Sequence, residues 1–254
     1  MITFGAAVYA PGVQRLTGFH AIEEYLRSRK GGSLPGARIL VSGSGPRIKA
    51  ILSLAADLEL KTERRSKAEL DRIAPGNRGV ALEAEEDYER EEPDLDSFLL
   101  EIPTRSLVLV LDHVEDPQNL GAILRSADVF AADLVVAPRR RSAPLTDAAV
   151  KASAGAAVYA PLALVPNLAE ALRRLKKAGY WLYAADTGGA SLPGADLSSR
   201  AVIVLGNEGA GVSRLLKDEC DFSLSIPMAG HVDSLNVSAA AAVLMYDYRR
   251  RWPA

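Results

Sequence analysis

Residues 106–112 read Ser-Leu-Val-Leu-Val-Leu-Asp, and between Ser106 and Asp112 there is no polar side chain to turn toward water on either face. A strand of that kind has to be covered on both sides, the condition of a central strand in a parallel sheet with helices above and below. The sequence that follows keeps to the same plan. Strands are expected at 133–137, 180–185, 201–205 and 222–226, and helices at 121–130, 145–154, 168–177, 213–219 and 238–251. Strand and helix alternating in this order predict a doubly wound α/β domain over 104–254.

Upstream, a second and smaller α/β pattern occupies 16–83, with helices at 18–26, 48–58 and 67–73 and strands at 38–41 and 79–82. The first sixteen residues read as an arm, so the N-terminal domain is taken as 1–83. Between the domains, residues 83–103 carry ten Asp and Glu against Arg90 alone, and 84–103 reads as an acidic, solvated linker interrupted by Pro93. The net charge of −2 hides this asymmetry: residues 1–82 carry 13 Lys and Arg against 7 Asp and Glu. A basic N-terminal domain suits a polyanion, although solvated basic surfaces without a partner are common.

Several function classes drop out. Cys220 is the only cysteine, which excludes an intrachain disulfide and a cysteine-rich zinc site. His20, His113 and His231 lack metal-ligand spacing, so no metal is expected. The apolar opening has no basic segment before it, and Pro11 cuts it short. The longest later apolar stretch, 152–165, is too short to span a bilayer. A soluble, cytoplasmic protein is the expectation.

In open α/β sheets ligands sit outside the carboxyl ends of the strands, which here selects 112–125, 186–194, 206–213 and 227–238. In the first, Asn119 is placed to cap a helix, Gly121 permits close backbone approach, and Arg125 is either a surface residue or a fork for phosphate. In the second strand-end loop of interest, Gly206, Gly209 and Gly211 give G-x-x-G-x-G, not the dinucleotide pattern G-x-G-x-x-G, and no Gly-Lys-Ser/Thr follows. It is either a ligand-hugging loop or a turn with Ser213 capping the next helix. The last runs from Ile226 through Ser238. His231, Asp233 and Ser234 lie too close in sequence to converge as a hydrolytic triad, and nucleophile-elbow spacing is missing.

Taken together, Asn119-x-Gly121-x-x-x-Arg125, Leu205-Gly206-Asn207-Glu208-Gly209-x-Gly211 and Ile226-Pro227-Met228 with Ser234-Leu235-Asn236-Val237-Ser238 resemble the three ordered motifs of the SpoU (TrmH-like) branch of the SPOUT RNA methyltransferases. The resemblance covers 104–254. It extends less specifically to 16–83, where Leu16-Thr17-Gly18-Phe19-His20-Ala21-Ile22 is similar to the start of the substrate-binding domain in bacterial 23S ribosomal RNA guanosine-2′-O-methyltransferases. It implies a ribosomal-protein-like RNA-binding domain joined to an α/β trefoil-knot domain, a homodimer, and S-adenosylmethionine as methyl donor to a ribose 2′-hydroxyl in structured RNA. The expected target is a guanosine of 23S ribosomal RNA, with transfer RNA as the alternative and a non-catalytic RNA-binding or assembly factor as the rival of another class.

By likeness, cofactor contacts fall on Leu205, Gly206, Ile226, Met228, Leu235, Asn236 and Thr187. Asn119, Ser234 and Asn236 are expected to position groups by hydrogen bonding, and Glu208 to orient Arg125 or another donor. Arg125 is the expected clamp on an RNA phosphate. A literal arginine base is unphysical, because a guanidinium keeps its proton far above neutral pH. Arg139, Arg140 and Arg141 follow a strand at the ligand edge and read either as RNA contacts or as a solvated basic loop. The Ala-rich helix near 238–248 is the expected dimer contact. Asn207 and His231-Val232-Asp233 depart from the closest patterns and bear on the choice of RNA.

Overall fold

The computed structural model describes residues 13–28, 34, 36–85, 94–139, 142, 149, 152–153, 161–207 and 209–253. It divides into two units, Met1–Arg90 and Glu91–Ala254.

In the first unit, β1 (Val13–Thr17), α1 (Phe19–Ser28), β2 (Arg38–Val41), α2 (Pro46–Asp57), β3 (Lys61–Arg64), α3 (Lys67–Ile73) and β4 (Val80–Glu85) follow one another. The sheet order is β1-β4-β2-β3, with only β2 and β3 parallel. Ile22 and Leu26 of α1 and Ile48 and Ile51 of α2 are buried, as are Ile39 and Leu82 of the sheet. Leu70 and Ala74, on and just after α3, pack with Leu40 and Ala81 in a separate cluster. The start of α3 is fixed by a capping box in which Ser66 and Glu69 satisfy each other's backbone N–H groups.

In this unit two strands escape the sequence reading. Lys61–Arg64 is a polar edge strand whose side chains are mostly exposed, so it carries no alternation to detect. Val13–Thr17 lies mostly in the segment taken as an arm, and it pairs with β4 across the sheet. There Arg15 and Arg38 converge on the buried Glu83, each donating through Nε at 2.7 Å. Burial raises the Glu83 carboxyl, but the two guanidinium groups outweigh it and hold the group below the usual range. Part of the basic surplus is therefore internal to the fold, while Arg64, Lys67, Arg72 and Arg78 remain exposed.

The second unit begins with a helix inside the stretch read as linker. Asp94 accepts a hydrogen bond from the Ser97 N–H at 2.6 Å and caps α4 (Leu95–Leu100). Leu95 is buried, and Phe98, Leu99 and Ile102 pack against the main core. The acidic composition concealed this because the apolar positions recur over less than two turns. Beyond it come β5 (Ser106–Leu111), α5 (Pro117–Val129), β6 (Leu134–Pro138), β7 (Leu162–Val165), α6 (Leu168–Lys177) and β8 (Trp181–Ser191). A short 3-10 turn (Leu192–Gly194), β9 (Arg200–Leu205), α7 (Arg214–Glu219), β10 (Phe222–Ser225) and α8 (Val237–Arg251) complete it. The helix expected at 145–154 falls mostly outside the described residues.

All six strands are parallel, in the order β10-β8-β9-β5-β6-β7. Every residue of β5 is buried, as its apolar run requires. Val108 and Val110 enter one core with α4, α6 and α7. Leu107, Leu109 and Leu111 point the other way, toward the side of α5 and α8, which pack on each other. No helix among the described residues is long and apolar enough to cross a membrane.

Candidate functional site

A cleft of ≈ 390 Å³ opens where β8, β9 and β10 end. Its β8 wall comes from a break in pairing. The β8–β10 ladder passes from Ala184 opposite Ser223 to Ala190 opposite Leu224, so residues 185–189 bulge out and carry Asp186 and Thr187 to the cleft. Gly189 closes the bulge, since a Cβ there would lie 2.5 Å from the Ser223 carbonyl carbon.

The β9 wall is the glycine loop. A Cβ on Gly206 would lie 2.0 Å from the carbonyl carbon of Gly211 and 2.1 Å from the nitrogen of Val212. The loop thus folds back onto its own start. Gly211 donates its N–H to the Asn207 carbonyl at 2.8 Å and adopts φ +67°, which favours glycine. Asn207 also ties the loop to the end of β5, donating from Nδ2 to the His113 carbonyl at 3.2 Å. Beside it the buried Asp112 accepts the Ser213 N–H at 2.7 Å and bonds His113 Nδ1 at 2.6 Å. Ser213 occupies the cap position of α7 without a side-chain capping bond, so its anchor is Asp112 and not its own hydroxyl.

The third wall is the stretch from Leu224 to the first turns of α8. Asn236 caps α8, accepting from the N–H groups of Ser238 and Ala239. Its Nδ2 donates to Asn119 Oδ1 at 2.9 Å across 117 residues of sequence. Asn119 is therefore not a helix cap. Asp116 caps α5 by accepting the Gln118 N–H at 2.9 Å, because Pro117 is tolerated at the first helical position and the helix starts ahead of Asn119. Asn119 sits buried inside the first turn, and its pairing with Asn236 joins the first and third segments.

Leu205, Gly206, Ile226, Met228, Leu235 and Thr187 all line the cleft, and so does Ser234. Asn119 and Asn236 form the bridge behind that wall. Arg125 and Arg139 lie off the lining. Arg125 is exposed on α5 and its guanidinium pairs with no described residue. Arg139 donates from Nε to the Leu164 carbonyl at 3.2 Å. Glu208, Arg140 and Arg141 lie outside the described residues. His231, Asp233 and Ser234 are exposed, and no hydrogen bond joins them among the described residues. Burial pushes the Cys220 thiol up to about 12, which leaves it no nucleophile at neutral pH.

Sequence reading missed a charged pair in the cleft, Lys217 of α7 against Asp186 of β8. Lys217 looks like any surface lysine of a short helix, and only the fold brings it to a carboxylate 31 positions away. The hydrogen bond from Lys217 and that from the Gly188 N–H hold the Asp186 carboxyl below its usual range. Among the described residues no group of three or more His, Cys, Asp and Glu is disposed to hold a metal ion.

Residues 106–246 match the SpoU rRNA Methylase family, more than half of the chain. The chain belongs to the SpoU family of RNA methyltransferases. Residues 15–89 match the RNA 2′-O ribose methyltransferase substrate-binding family, so both units have counterparts. A TrmH family tRNA/rRNA methyltransferase of Staphylococcus haemolyticus is 39% identical over 247 residues, covering 93% of this chain and 95% of the relative. Among solved structures, the SpoU methyltransferase AviRb of Streptomyces viridochromogenes aligns with a TM-score of 0.76 at 25% identity, over 94% of this chain and 90% of that one. Its complex with AdoMet (S-adenosylmethionine) aligns at 0.72 and 26% identity, with the same coverage. An RNA 2′-O ribose methyltransferase aligns at 0.76 and 27% identity, over 94% of this chain and 88% of its own.

Proposed function

We propose that this SpoU-family chain transfers the methyl group of S-adenosylmethionine to a ribose 2′-hydroxyl of structured RNA, in the cytoplasm, with a guanosine of 23S ribosomal RNA as target. The observation that carries the reading is the cleft at the carboxyl ends of β8, β9 and β10, walled by the glycine loop and the Ser234 segment. Its size falls in the range of small-molecule sites. Leu205, Ile226 and Val237 offer apolar surface to a flat base, while Asp186, Lys217 and Ser234 offer polar groups. The donor set therefore fits this cofactor. Bound there, S-adenosylmethionine supplies a methyl group on a positively charged sulfur.

The rest of the chemistry belongs to the chain. A ribose hydroxyl is a poor nucleophile, so it has to be held in line with the methyl and lose its proton as it attacks. The Asn119–Asn236 bond fixes the N-terminus of α8 against α5, which holds Ser234 at the cleft. Arg125 projects into solvent from the same α5, pairs with no described residue, and can fork a phosphate beside the target ribose. The proton leaves through that phosphate or through water. The N-terminal unit, matched to a substrate-binding family, holds the RNA.

Labelled methyl transfer to unmodified ribosomal and transfer RNA, with mass-spectrometric identification of the product, tests this. The expected product is 2′-O-methylguanosine in the large ribosomal RNA. Base methylation in place of ribose methylation would overturn the reaction, and product confined to transfer RNA would overturn the target.

The same reading makes the active form a homodimer on the trefoil-knot domain, joined through the outer face of α8. Val243 and Tyr246 are exposed there, with Tyr246 edge-on to Phe130 at 6.2 Å. Equilibrium sedimentation should return twice the chain mass. A Tyr246→Glu variant should shift it to the monomer, and a wild-type protein that sediments as one chain at assay concentration rules the interface out.

A further inference from the structure

The Asp186–Lys217 pair lies on the α7 and β8 side of the cleft, away from the Asn119–Asn236 bridge on the α5 and α8 side. Asp186 is three-quarters shielded, Lys217 about two-thirds. Each carboxylate oxygen already has one partner: Oδ1 accepts the Gly188 N–H at 3.1 Å, and Oδ2 is held by Lys217 Nζ. A carboxylate oxygen has two lone pairs, so one acceptor position remains on each. Two adjacent acceptors, fixed in orientation by the backbone and by Lys217, match the two donors of a vicinal diol.

Other parts of the cofactor fit less well. An α-ammonium placed on Asp186 would approach the Lys217 ammonium, and an α-carboxylate placed on Lys217 would approach the Asp186 carboxylate. Either arrangement sets like charges together in a partly desolvated cleft. A diol is neutral and meets neither penalty. An adenine ring presents one exocyclic amine, which uses only one of the two positions.

We propose that Asp186, oriented by Lys217, binds the ribose 2′- and 3′-hydroxyls of the adenosyl cofactor and makes the site selective for an intact ribose diol. The inference rests on the S-adenosylmethionine reading above, and places the adenosyl ribose on the β8 side of the cleft.

Calorimetric titration of the full chain tests it without turnover. S-adenosylhomocysteine is titrated first. No binding by the wild-type chain would remove the cofactor reading itself, and this inference with it. Next come 5′-methylthioadenosine and its 2′-deoxy and 3′-deoxy counterparts, which share the base and the thioether. The wild-type chain should bind the deoxy ligands about 10- to 100-fold more weakly, the loss of a hydrogen bond to a charged acceptor. Asp186→Asn should bind the diol ligand more weakly by a similar factor and discriminate little between it and the deoxy ligands. Equal wild-type affinity for diol and deoxy ligands would overturn the inference without any variant. So would an Asp186→Asn chain that keeps the wild-type discrimination.

Discussion

Replacing Gly206 by Ala should abolish cofactor binding and lower stability by about 3 kcal/mol, the upper range for overpacking a site that cannot yield. The added methyl would stand 2.0 Å from the Gly211 carbonyl carbon and 2.1 Å from its oxygen. These are backbone atoms, and they are held from behind. Gly211 is bonded to the Asn207 carbonyl, Asn207 to the His113 carbonyl, and Ser213 to the buried Asp112. Relief would therefore have to pull the loop away from the end of β5 and out of the cleft wall it forms. A loss of that size corresponds to a fall in Tm of roughly 6–12 °C for a chain of this length. Gly194→Ala is the control, because nothing lies within 4 Å of its added methyl. Thermal unfolding and S-adenosylhomocysteine titration read both effects. A Gly206→Ala protein with wild-type Tm and affinity would mean that the loop does not pass this close to itself.

That self-contact shows where the sequence stops being readable. The three glycines identify a loop that approaches something closely, and the apolar runs of β5 and β9 identify the strands beside it. What Gly206 approaches is another part of the same loop, which follows from the backbone path and not from spacing. The Asn119–Asn236 bond is similar. Both asparagines stand out in their segments, but the bond spans 117 residues, and local pattern alone suggested a helix cap for Asn119. Pro117 was the better signal, since it cannot sit deep in a helix and so sets the start of α5. The elements that escaped are those whose partners lie far away in sequence: β1, paired with β4, polar β3, stabilised by its ladder with β2, β7, paired with β6, and α4, whose apolar side chains are few and surrounded by acids. Lys217 and Asp186 belong to the same class. Each is an ordinary charged residue until α7 and the β8 bulge bring them together.

Substituting Arg125 should separate catalysis from cofactor binding. Arg125 is exposed, pairs with no described residue and does not line the cleft. Arg125→Ala should therefore leave Tm and S-adenosylhomocysteine affinity unchanged. Turnover on RNA should fall by about 10²- to 10³-fold, the range for removing one preorganised donor near the reacting atoms. The Lys variant is the more informative one. An ammonium keeps the charge but lacks the planar fork that binds a phosphate through two parallel hydrogen bonds, and its rotatable stem does not fix the phosphate's orientation. If Arg125 positions the nucleotide as a bidentate clamp, Arg125→Lys should recover at most about a tenth of the wild-type rate, by the same range, while weakening RNA binding little. Near-full turnover in the Lys variant would show that positive charge alone suffices and would remove the clamp. An Ala variant that lost cofactor affinity in step with turnover would instead place Arg125 on the cofactor side. The physical case for the clamp is that the side chain projects from the helix whose first turn is bonded to Asn236, so the element holding the cleft also sets the direction from which RNA phosphate is gripped.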